Sequence, residues 1–364
     1  MRRVSLLLLL LSLSALGLCQ EDSTSNYLKI GGAIRFNYLI RSWDTNSKKR
    51  GGDFWYDMFR LNIDAEYNRV ITSVEGRFYS NDFGGLLIHH AWMGYRFKNE
   101  DQIQLGISKV PFGILPYASH NWFFNIHYYL GLEDDYDLGV KYVHEDERWK
   151  YAVAFYKTSE MPPSNFSRYS YDVSDTHDEQ NTVNLRLARQ IGKAEVGVSG
   201  QLGQLENTQT NEFGSHGAFA AHINANLSRL NVMLQYIYYE HNPADPDPRT
   251  VRMSAYGAAY NVASIGSMYS VGLSYPVDIG LGPFKKLNVY YNFGYIDKSE
   301  ATFNDSYMSV VGTSLEIGPV FTYIDWASGL NHPWIGADWQ NGFGEGNFDA
   351  TWHHRFNINF GYYF

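Results

Sequence analysis

The sequence predicts an all-β fold, a transmembrane antiparallel β-barrel of sixteen strands with short periplasmic turns and long external loops. Much of the chain alternates between apolar and polar residues with a period of two, as strands do when one face meets lipid and the other meets water. Aromatic residues make up 16% of the chain, including 29 Tyr and 22 Phe, and aromatic girdles flank the lipid-facing band of such barrels. The connections between the alternating segments also sort by length along the chain.

Sixteen segments show this alternation. In the second, Phe59, Leu61 and Ile63 share one face and the residues between them are polar. A further segment, 251–260, is an alternative strand that would move the count to eighteen, because the number should stay even. The predicted strands cover or lie within 28–41, 59–67, 70–79, 91–97, 103–107, 138–142, 151–155, 183–187, 196–198, 216–227, 230–236, 268–275, 287–295, 306–317, 320–327 and 355–364.

The connections test this topology, because short turns should follow even strands and long loops should follow odd strands. One joint departs from this pattern, the longer segment 276–284 after the twelfth strand. The predicted short turns are 68–69, 98–100, 145–147, 192–193, 228–229 and 318–319. The predicted long loops are 42–54, 111–135, 158–179, 241–263 and 329–350.

The start of the chain predicts export. Residues 1–19 have the basic beginning and the short apolar run of a cleaved signal peptide. A lipoprotein acylated at Cys19 is the alternative, but Leu18 stands where that pattern requires a small residue. Cleavage after Cys19 removes the only cysteine and leaves residues 20–364 as a single barrel domain.

The final strand carries an assembly signature. Phe356, Ile358 and Phe360 share one face, and the strand ends in Phe364. This ending resembles the C-terminal signal of bacterial outer-membrane barrels. It implies an outer-membrane location in a two-membraned bacterium, contact with membrane lipid, and the barrel assembly machinery as a partner. We expect this strand to pair with 28–41 and to close the wall.

A barrel of sixteen strands is too wide to be filled by its own side chains and leaves an aqueous channel. Only 20–27 precede the first predicted strand, so we expect no separate plug domain. The loop 111–135 is long and too apolar to lie in free solvent, and we predict that it folds inward as a constriction. Its predicted constriction residues are Trp122, Phe123, Phe124 and Tyr128.

Several segments resemble the phosphate-selective porin O and P family. Residues 57–67 are similar to its second strand, and residues 103–113, which end in Gly106-Ile-Ser-Lys-Val-Pro-Phe-Gly113, are similar to its entry into the third loop. The final strand is similar too. The resemblance implies a trimeric, passive channel with arginines and lysines that bind phosphate in the lumen. Only Arg60 and Lys109 can be matched residue by residue to the phosphate-binding positions of the family.

Strand phase places several charged residues in the predicted lumen. Lys109 shares its phase with the outward Ile103 and Ile107, so it reaches the lumen only where the strand ends or bulges. A basic wall on the first four strands favours anions; the alternative is that basic and acidic residues simply neutralise one another. The candidate pore-lining residues are Arg35, Arg60, Arg77, Arg96, Lys109, Lys141, Arg186, Glu66 and Glu75.

Other candidate sites have simpler explanations. His89-His90 and His353-His354 are adjacent pairs, so we expect each pair to split across the two faces of the wall. The loop acids 133–135 and 245–247 fit either Ca²⁺ or plain solvation. The Trp-rich segment 326–352 fits either sugar stacking or interface girdle and loop packing.

The predicted function is therefore a passive channel for small hydrophilic solutes or ions, with a preference for phosphate-like anions. The alternative is an outer-membrane transporter for hydrophobic or carbohydrate solutes with a specific binding track. The net charge of −9 argues against a nucleic-acid partner. No catalytic motif occurs, and we expect neither enzyme activity nor a cofactor nor a bound metal.

Overall fold

The computed structural model describes residues 26–282 and 284–364. The predicted signal peptide, 1–19, lies outside the described residues. Within them, none of the helices combines the length and the apolar character needed to cross a membrane. A short helix, α1 (Thr45–Arg50), lies between the first two strands.

Nineteen strands occur in the described chain, and sixteen of them close into one barrel, which confirms the predicted fold class and strand number. The other three, β8, β13 and β14, form a separate sheet in the loops. The strands are β1 (Tyr27–Arg41), β2 (Asp53–Tyr67), β3 (Val70–Phe78), β4 (Leu86–Arg96), β5 (Gln102–Lys109), β6 (Tyr136–Glu145), β7 (Trp149–Ser159), β8 (Asp172–Val173), β9 (His177–Ile191), β10 (Ala194–Asn207), β11 (Phe213–Leu227), β12 (Leu230–Asn242), β13 (Thr250–Ala255), β14 (Ala258–Ala263), β15 (Ile265–Leu281), β16 (Phe284–Lys298), β17 (Ser306–Ile317), β18 (Val320–Leu330) and β19 (His353–Tyr363).

The last strand closes the wall against the first, as predicted. β1 and β19 are antiparallel, with Ala33 opposite Tyr363 and Arg41 opposite Arg355. Gly32 and Phe364 exchange backbone hydrogen bonds of 2.8 and 3.1 Å. Closure matters because lipid offers no partner to an unpaired N–H or C=O, and each such group costs several kcal/mol.

The outer face of the wall is apolar and open to its surroundings. Leu28, Ile30 and Leu202 keep 62%, 63% and 73% of their surface exposed. In water such a continuous apolar surface would drive aggregation, whereas in a bilayer it meets hydrocarbon. The inner face carries polar residues such as Asn357 and Asn359, which are buried inside the barrel.

The short turns lie at one end of the barrel and the long loops at the other. Asn68 and Arg69 have φ angles of 49° and 68°, the geometry of a two-residue hairpin that follows the strand twist. The external loops are L1 (42–52), L2 (79–85), L3 (110–135), L4 (160–176), L5 (208–212), L6 (243–264), L7 (299–305) and L8 (331–352).

Two ambiguous segments are settled by the structure. Residues 251–260 do form strands, but these are the β13–β14 hairpin of L6 and add nothing to the barrel. The long connection predicted at 276–284 is wrong, because β15 runs to Leu281 and β16 begins at Phe284. Gly280 and Gly282 both have positive φ. Gly280 lies at an irregularity in the strand pairing, and Gly282 lies in the tight turn that replaces the predicted loop.

L3 packs against one half of the inner wall. Its residues Phe123, Ile126 and Leu130 belong to one buried apolar cluster with wall residues such as Ala220 and Ile237. The inward side chains of β11 are small where L3 approaches, which explains the weak alternation of 216–227 in the sequence. One half of the lumen is thus a packed core, and the other half is left open.

Gly294 on β16 should be required for this packing. A Cβ there would lie 2.4 Å from Asn125 Oδ1 and within 2.8 Å of Ile126, so L3 would have to move. We expect Gly294→Ala to lower the free energy of unfolding by about 1–3 kcal/mol, measured by urea titration in lipid vesicles. Gly200→Ala is the control, because its Cβ would meet only one atom, at 3.9 Å. Equal losses in the two variants would contradict the packing argument.

Candidate solute pathway

Hydrogen bonds fix L3 across the lumen. The Ile114 N–H donates to Gln235 Oε1 on β12 at 2.7 Å. The Asn121 side-chain amide donates to Asn292 Oδ1 on β16 at 3.0 Å. These bonds join residues more than 100 positions apart in the sequence, and they hold the middle of L3 against the wall opposite β1.

Five arginines lie on the side of the lumen that L3 leaves open. They come from strands that are neighbours in the barrel, because β19 and β2 both pair with β1 and β3 pairs with β2. Strand phase directs each of them inward. They are Arg35 and Arg41 on β1, Arg60 on β2, Arg77 on β3 and Arg355 on β19.

A cavity of about 660 Å³ lies between L3 and these arginines. Its 32 described lining residues include five arginines but only two acidic residues, Asp57 and Asp82. The cavity is the open half of the lumen, and its lining carries an excess of positive charge. A low-dielectric cleft lined by one sign of charge concentrates counter-ions of the other sign.

Four of the arginines have an acidic partner. Glu75 lies 2.6 Å from Arg77 Nε and 3.6 Å from Arg60 Nη1, so one carboxylate serves two guanidinium groups. Arg35 Nε lies 2.8 Å from the Asp57 carboxylate. Arg41 Nη2 lies 2.9 Å from Asp44 Oδ2 of L1.

Arg355 differs from the other four. Within residues 26–282 and 284–364 it makes no salt bridge, and its Nη2 donates to Asn357 Oδ1 at 3.0 Å. Its guanidinium carbon lies 5.2 and 5.0 Å from the ring centroids of Trp122 and Phe123 on L3. Arg355 therefore brings a charge without a carboxylate partner to the point where the wall meets L3.

Aromatic rings supply most of the remaining lining. Tyr128 of L3 stacks on Phe124 with centroids 4.1 Å apart, and its hydroxyl lies 2.6 Å from that of Tyr256 at the tip of the β13–β14 hairpin. L6 thus reaches L3 across the cavity. The eighteen aromatic lining residues are Trp43, Trp55, Tyr56, Tyr79, Phe83, Tyr117, Trp122, Phe123, Phe124, Tyr128, Tyr129, Tyr169, Tyr171, Tyr256, Tyr323, Trp334, Trp339 and Tyr363.

The predicted site residues fall into two groups. Arg35, Arg60 and Arg77 line the cavity, as do all four predicted constriction residues, Trp122, Phe123, Phe124 and Tyr128. The Glu75 carboxylate pairs with two of these arginines, Arg60 and Arg77.

The other predicted basic residues point into the barrel but away from the cavity. Arg96 Nε pairs with Glu66 at 3.3 Å, in the part of the barrel near the short turns. Lys141 Nζ donates to the Lys109 carbonyl at 2.6 Å. Arg186 Nε donates to a carbonyl of L3 at 2.8 Å, so it supports the loop from behind.

Lys109 reaches the lumen because β5 ends at this residue. Its Nζ lies 2.5 Å from Oδ1 of Asp134 on L3. Asp134 also accepts hydrogen bonds from Tyr169 at 2.6 Å and from Tyr136 at 3.1 Å. Burial alone would raise the pKa of Asp134, but the Lys109 ammonium and the His89 side chain hold it well below its usual range.

The expectation for His89 and His90 is wrong. The β3–β4 pairing shifts by one residue between Glu75 and Gly76, so one histidine is an extra residue in the strand. Both imidazoles then lie on the luminal side, with their Nδ1 atoms 2.7 Å apart. A bulge changes the phase of a strand without any apolar signal in the sequence.

The second histidine pair does split as expected. The His353 ring packs against Trp43 of L1 at 5.8 Å, and the His354 ring packs at 5.5 Å against the outward-facing Trp326. The Trp-rich segment divides in the same way, since Trp334 and Trp339 line the cavity whereas Trp326 and Trp352 are exposed.

The cavity residues that sequence reasoning missed come from the loops. Tyr169 and Tyr171 of L4, Tyr256 of L6 and Trp43 of L1 converge on L3. Loops have no periodicity that would show the direction of a side chain. The only signal available was the number of aromatic residues in segments that should be solvated.

No protein-family model matches the chain, and no curated protein matches it. Three similar solved structures are outer-membrane proteins. OmpT of Vibrio cholerae, solved in a trimer form, has a TM-score of 0.61 at 14% identity and covers 94% of this chain and 100% of that one. An anion-selective porin of Comamonas acidovorans has a TM-score of 0.61 at 10% identity and covers 93% of this chain and 100% of that one. OmpF of Salmonella typhi, in complex with daunomycin, has a TM-score of 0.62 at 10% identity and covers 95% of this chain and 100% of that one.

At these identities the likeness establishes the fold. Together with the closed sixteen-stranded wall and its apolar outer face, it defines an outer-membrane protein that crosses the membrane many times. The barrel encloses a lumen that L3 narrows.

The contact between Lys109 and Asp134 should stabilise the end of L3. Because removal of one partner leaves a buried charge unpaired, we expect Asp134→Asn to lower the free energy of unfolding by about 3 kcal/mol at neutral pH. A carboxyl with a depressed pKa stabilises the fold above its ordinary pKa and loses that effect as the pH falls through the folded-state value. The difference between wild type and variant should therefore shrink in strong acid.

Urea titrations at neutral and strongly acidic pH measure this difference. The control is Asp278→Asn, which breaks an exposed pair with Arg229 and should cost at most about 1 kcal/mol. A difference for Asp134→Asn that stays constant down to strong acid would contradict the proposed ion pair.

Proposed function

We propose that this protein is a passive outer-membrane channel for small anionic solutes. The observation that carries the proposal is the lining of the cavity, in which five arginines face two aspartates. Guanidinium groups remain charged at any physiological pH and bind carboxylate or phosphate through paired hydrogen bonds. A cation that enters this cavity meets an unfavourable field, whereas an anion meets donors on the β1, β2, β3 and β19 wall.

The aromatic rings make the proposal more specific. Eighteen rings around one cavity provide flat, apolar contact surface, and the arginines lie opposite the aromatic face of L3. Small organic anions, with a carboxylate or phosphate at one end and an apolar or flat body, match both surfaces. The aromatic lining would also stack on sugars, but an uncharged sugar makes no use of the arginines, so anions fit better.

Inorganic phosphate is the narrower hypothesis from the resemblance to phosphate-selective porins. Arg60 lines the cavity and Lys109 does not, because its ammonium group is paired with Asp134. One lysine of the cluster that the resemblance implies is therefore neutralised by its ion pair with Asp134. Organic anions are the better fit to the described lining, and phosphate serves as a comparison in the tests below.

We further propose that the barrel assembly machinery recognises the C-terminal strand, and that the folded barrels form a homotrimer. The trimer form of the Vibrio cholerae OmpT structure supports this arrangement for a barrel of the same fold. L3 is held within its own barrel by the hydrogen bonds described above, so each protomer would contain a complete pathway. Mass measurement of the detergent-solubilised protein tests the oligomer.

The charge on Arg355 should set the ion preference. Purified, heat-modifiable protein in a planar bilayer should give stable ohmic steps, with a reversal potential of anion sign in a KCl gradient. We expect Arg355→Gln to lower the ratio of chloride to potassium permeability roughly twofold to threefold, because its charge has no carboxylate partner.

Arg229→Gln is the matched control, since Arg229 lies at a short turn and pairs with Asp278 at 2.8 Å. It should leave the ratio unchanged. A reversal potential of cation sign in the wild type would refute the anion proposal. The absence of any conductance from folded protein would refute the channel itself.

The aromatic side of the pathway is tested with blockers of the KCl current. We expect benzoate to block at lower concentration than phosphate, and maltose to block weakly. Trp122→Ala should weaken benzoate block by roughly fivefold, equivalent to loss of about 1 kcal/mol of ring contact, while phosphate block changes little. Trp149→Ala removes a ring that stacks on Arg189 away from the cavity and should change neither. Stronger block by phosphate than by benzoate would favour the phosphate hypothesis.

A further inference from the structure

Four carboxylates meet where L3 joins β6 beneath L4. They are Asp135 at the end of L3, Asp137 on β6, Asp172 on β8 within L4, and Glu160 at the start of L4, and we call them the acidic cluster. Oxygen atoms of Asp135, Asp137 and Asp172 all lie within 4.8 Å of one another. Glu160 lies beside this group, since its carboxylate accepts the N–H of Ser170, two residues before Asp172. Asp135 and Asp172, which are 37 positions apart in the chain, thus bring like charges together.

The acidic cluster is buried. Asp137 and Asp172 keep 4% and 2% of their surface exposed, and Glu160 keeps 7%. Water therefore screens their mutual repulsion poorly, and the cost of burying several carboxylates together is large unless a positive charge lies among them. This burial separates the cluster from the solvated acids that are common in external loops.

One arginine offsets part of this charge. Arg168 Nη1 lies 3.1 Å from the Asp172 carboxylate. Its Nη2 donates to the carbonyl oxygens of Met161 and Pro162 at 2.6 and 2.8 Å, and its Nε donates to the Asn165 carbonyl. Arg168 is the only Lys or Arg in salt-bridge contact with the cluster within the described residues, so one positive charge faces four carboxylates.

Two carboxylate oxygens in the cluster have no hydrogen-bond partner. Asp137 Oδ1 and Glu160 Oε2 are both buried and unpaired within the described structure. By contrast, Glu160 Oε1 accepts the Ser170 N–H at 3.2 Å, and Asp135 Oδ1 accepts the Tyr136 N–H at 2.9 Å. A buried acceptor without a donor loses the free energy of its hydration. Both unpaired oxygens belong to residues more than nine-tenths buried.

We propose that the acidic cluster binds a divalent cation of the calcium type. Its donors are carboxylate oxygens without nitrogen or sulfur ligands, which suits a hard cation and disfavours Zn²⁺. Ca²⁺ accepts six to eight oxygens in flexible geometry, whereas Mg²⁺ demands a tight octahedron. A cation here offsets the excess negative charge and can bind the Asp137 carboxylate, whose Oδ1 has no hydrogen-bond partner in the described structure.

The cation would join three parts of the protein. Asp135 ends L3, Asp137 begins the wall strand β6, and Asp172 lies in L4. Coordination therefore pins the end of L3 and the base of L4 to the wall. The pathway described above does not depend on this site, so the two proposals can fail separately.

The sequence had suggested other carboxylates for Ca²⁺. Glu133 accepts the Ala118 N–H at 2.7 Å, and Asp134 pairs with Lys109. Asp247 pairs with Arg249 at 2.8 Å in exposed solvent. Of the two predicted acidic segments, only Asp135 contributes to the cluster.

Terbium luminescence tests the site directly. Folded protein in detergent is stripped with EGTA, titrated with Tb³⁺ under tyrosine excitation, and then titrated with CaCl₂. Tyr136 adjoins Asp135 in the chain and can transfer energy to the bound ion. We expect saturable luminescence that Ca²⁺ displaces, together with a higher unfolding temperature in about 1 mM CaCl₂ than in EGTA, since external calcium modules bind in the range of about 0.1–1 mM.

The combined variant Asp135→Asn and Asp137→Asn, which leaves the Arg168–Asp172 pair intact, should weaken Tb³⁺ affinity at least about tenfold and abolish the calcium shift. In EGTA it should unfold at a higher temperature than wild type, because it lacks two repelling charges. Glu160→Gln is the second variant if the first fails to fold, and it should weaken binding to a smaller extent.

Asp247→Asn is the matched control, which removes an exposed loop carboxylate and should leave both readouts unchanged. Absence of saturable, calcium-displaced luminescence in the wild type would overturn the proposal. So would equal effects in Asp247→Asn and the cluster variants, or unchanged Tb³⁺ affinity in the cluster variants.

Discussion

The hydrogen-bonded closure between β1 and β19 is the constraint on which the rest of the structure depends. Lipid cannot satisfy a strand edge, so the sheet must join its own beginning. Closure of sixteen strands encloses a lumen too wide for side chains alone to fill. L3 then occupies one half of that lumen, and the arginines of the neighbouring wall line the space that remains.

The two halves of the lumen are built from different residues for different physical reasons. Where L3 packs, the wall is small at positions such as Ala220 and Gly294, because each extra methyl group would displace the loop. On the other side of the cavity, Arg60 and Arg77 keep their positions by sharing Glu75, and Arg77 is buried against the Tyr169 ring. Ion pairing with incomplete neutralisation leaves a rigid surface that is still positive.

The strands were predictable because their pattern is local. The bounds of β17, 306–317, agree in sequence and structure, since lipid on one face and water on the other impose a period of two on every residue. The bulge at His89 was not predictable, because one extra residue leaves no mark in that pattern. The site was predictable only where it lies on strands: Arg35 and Arg60 followed from phase. Tyr256 and Asp172 lie in loops, and only the folded chain shows what they meet.

The division of the inner wall has a consequence for how such a protein can change. The wall side chains in the apolar cluster of L3 lie on strands between β7 and β18. The strands that carry the five arginines, β1, β2, β3 and β19, contribute no described residue to that cluster. Substitutions at Arg35, Arg60 or Arg77 can therefore alter selectivity with little loss of loop anchoring. At Trp122 the two halves meet, because its ring packs on Arg355 while its backbone N–H donates to the Asp325 carboxylate of β18 at 3.3 Å.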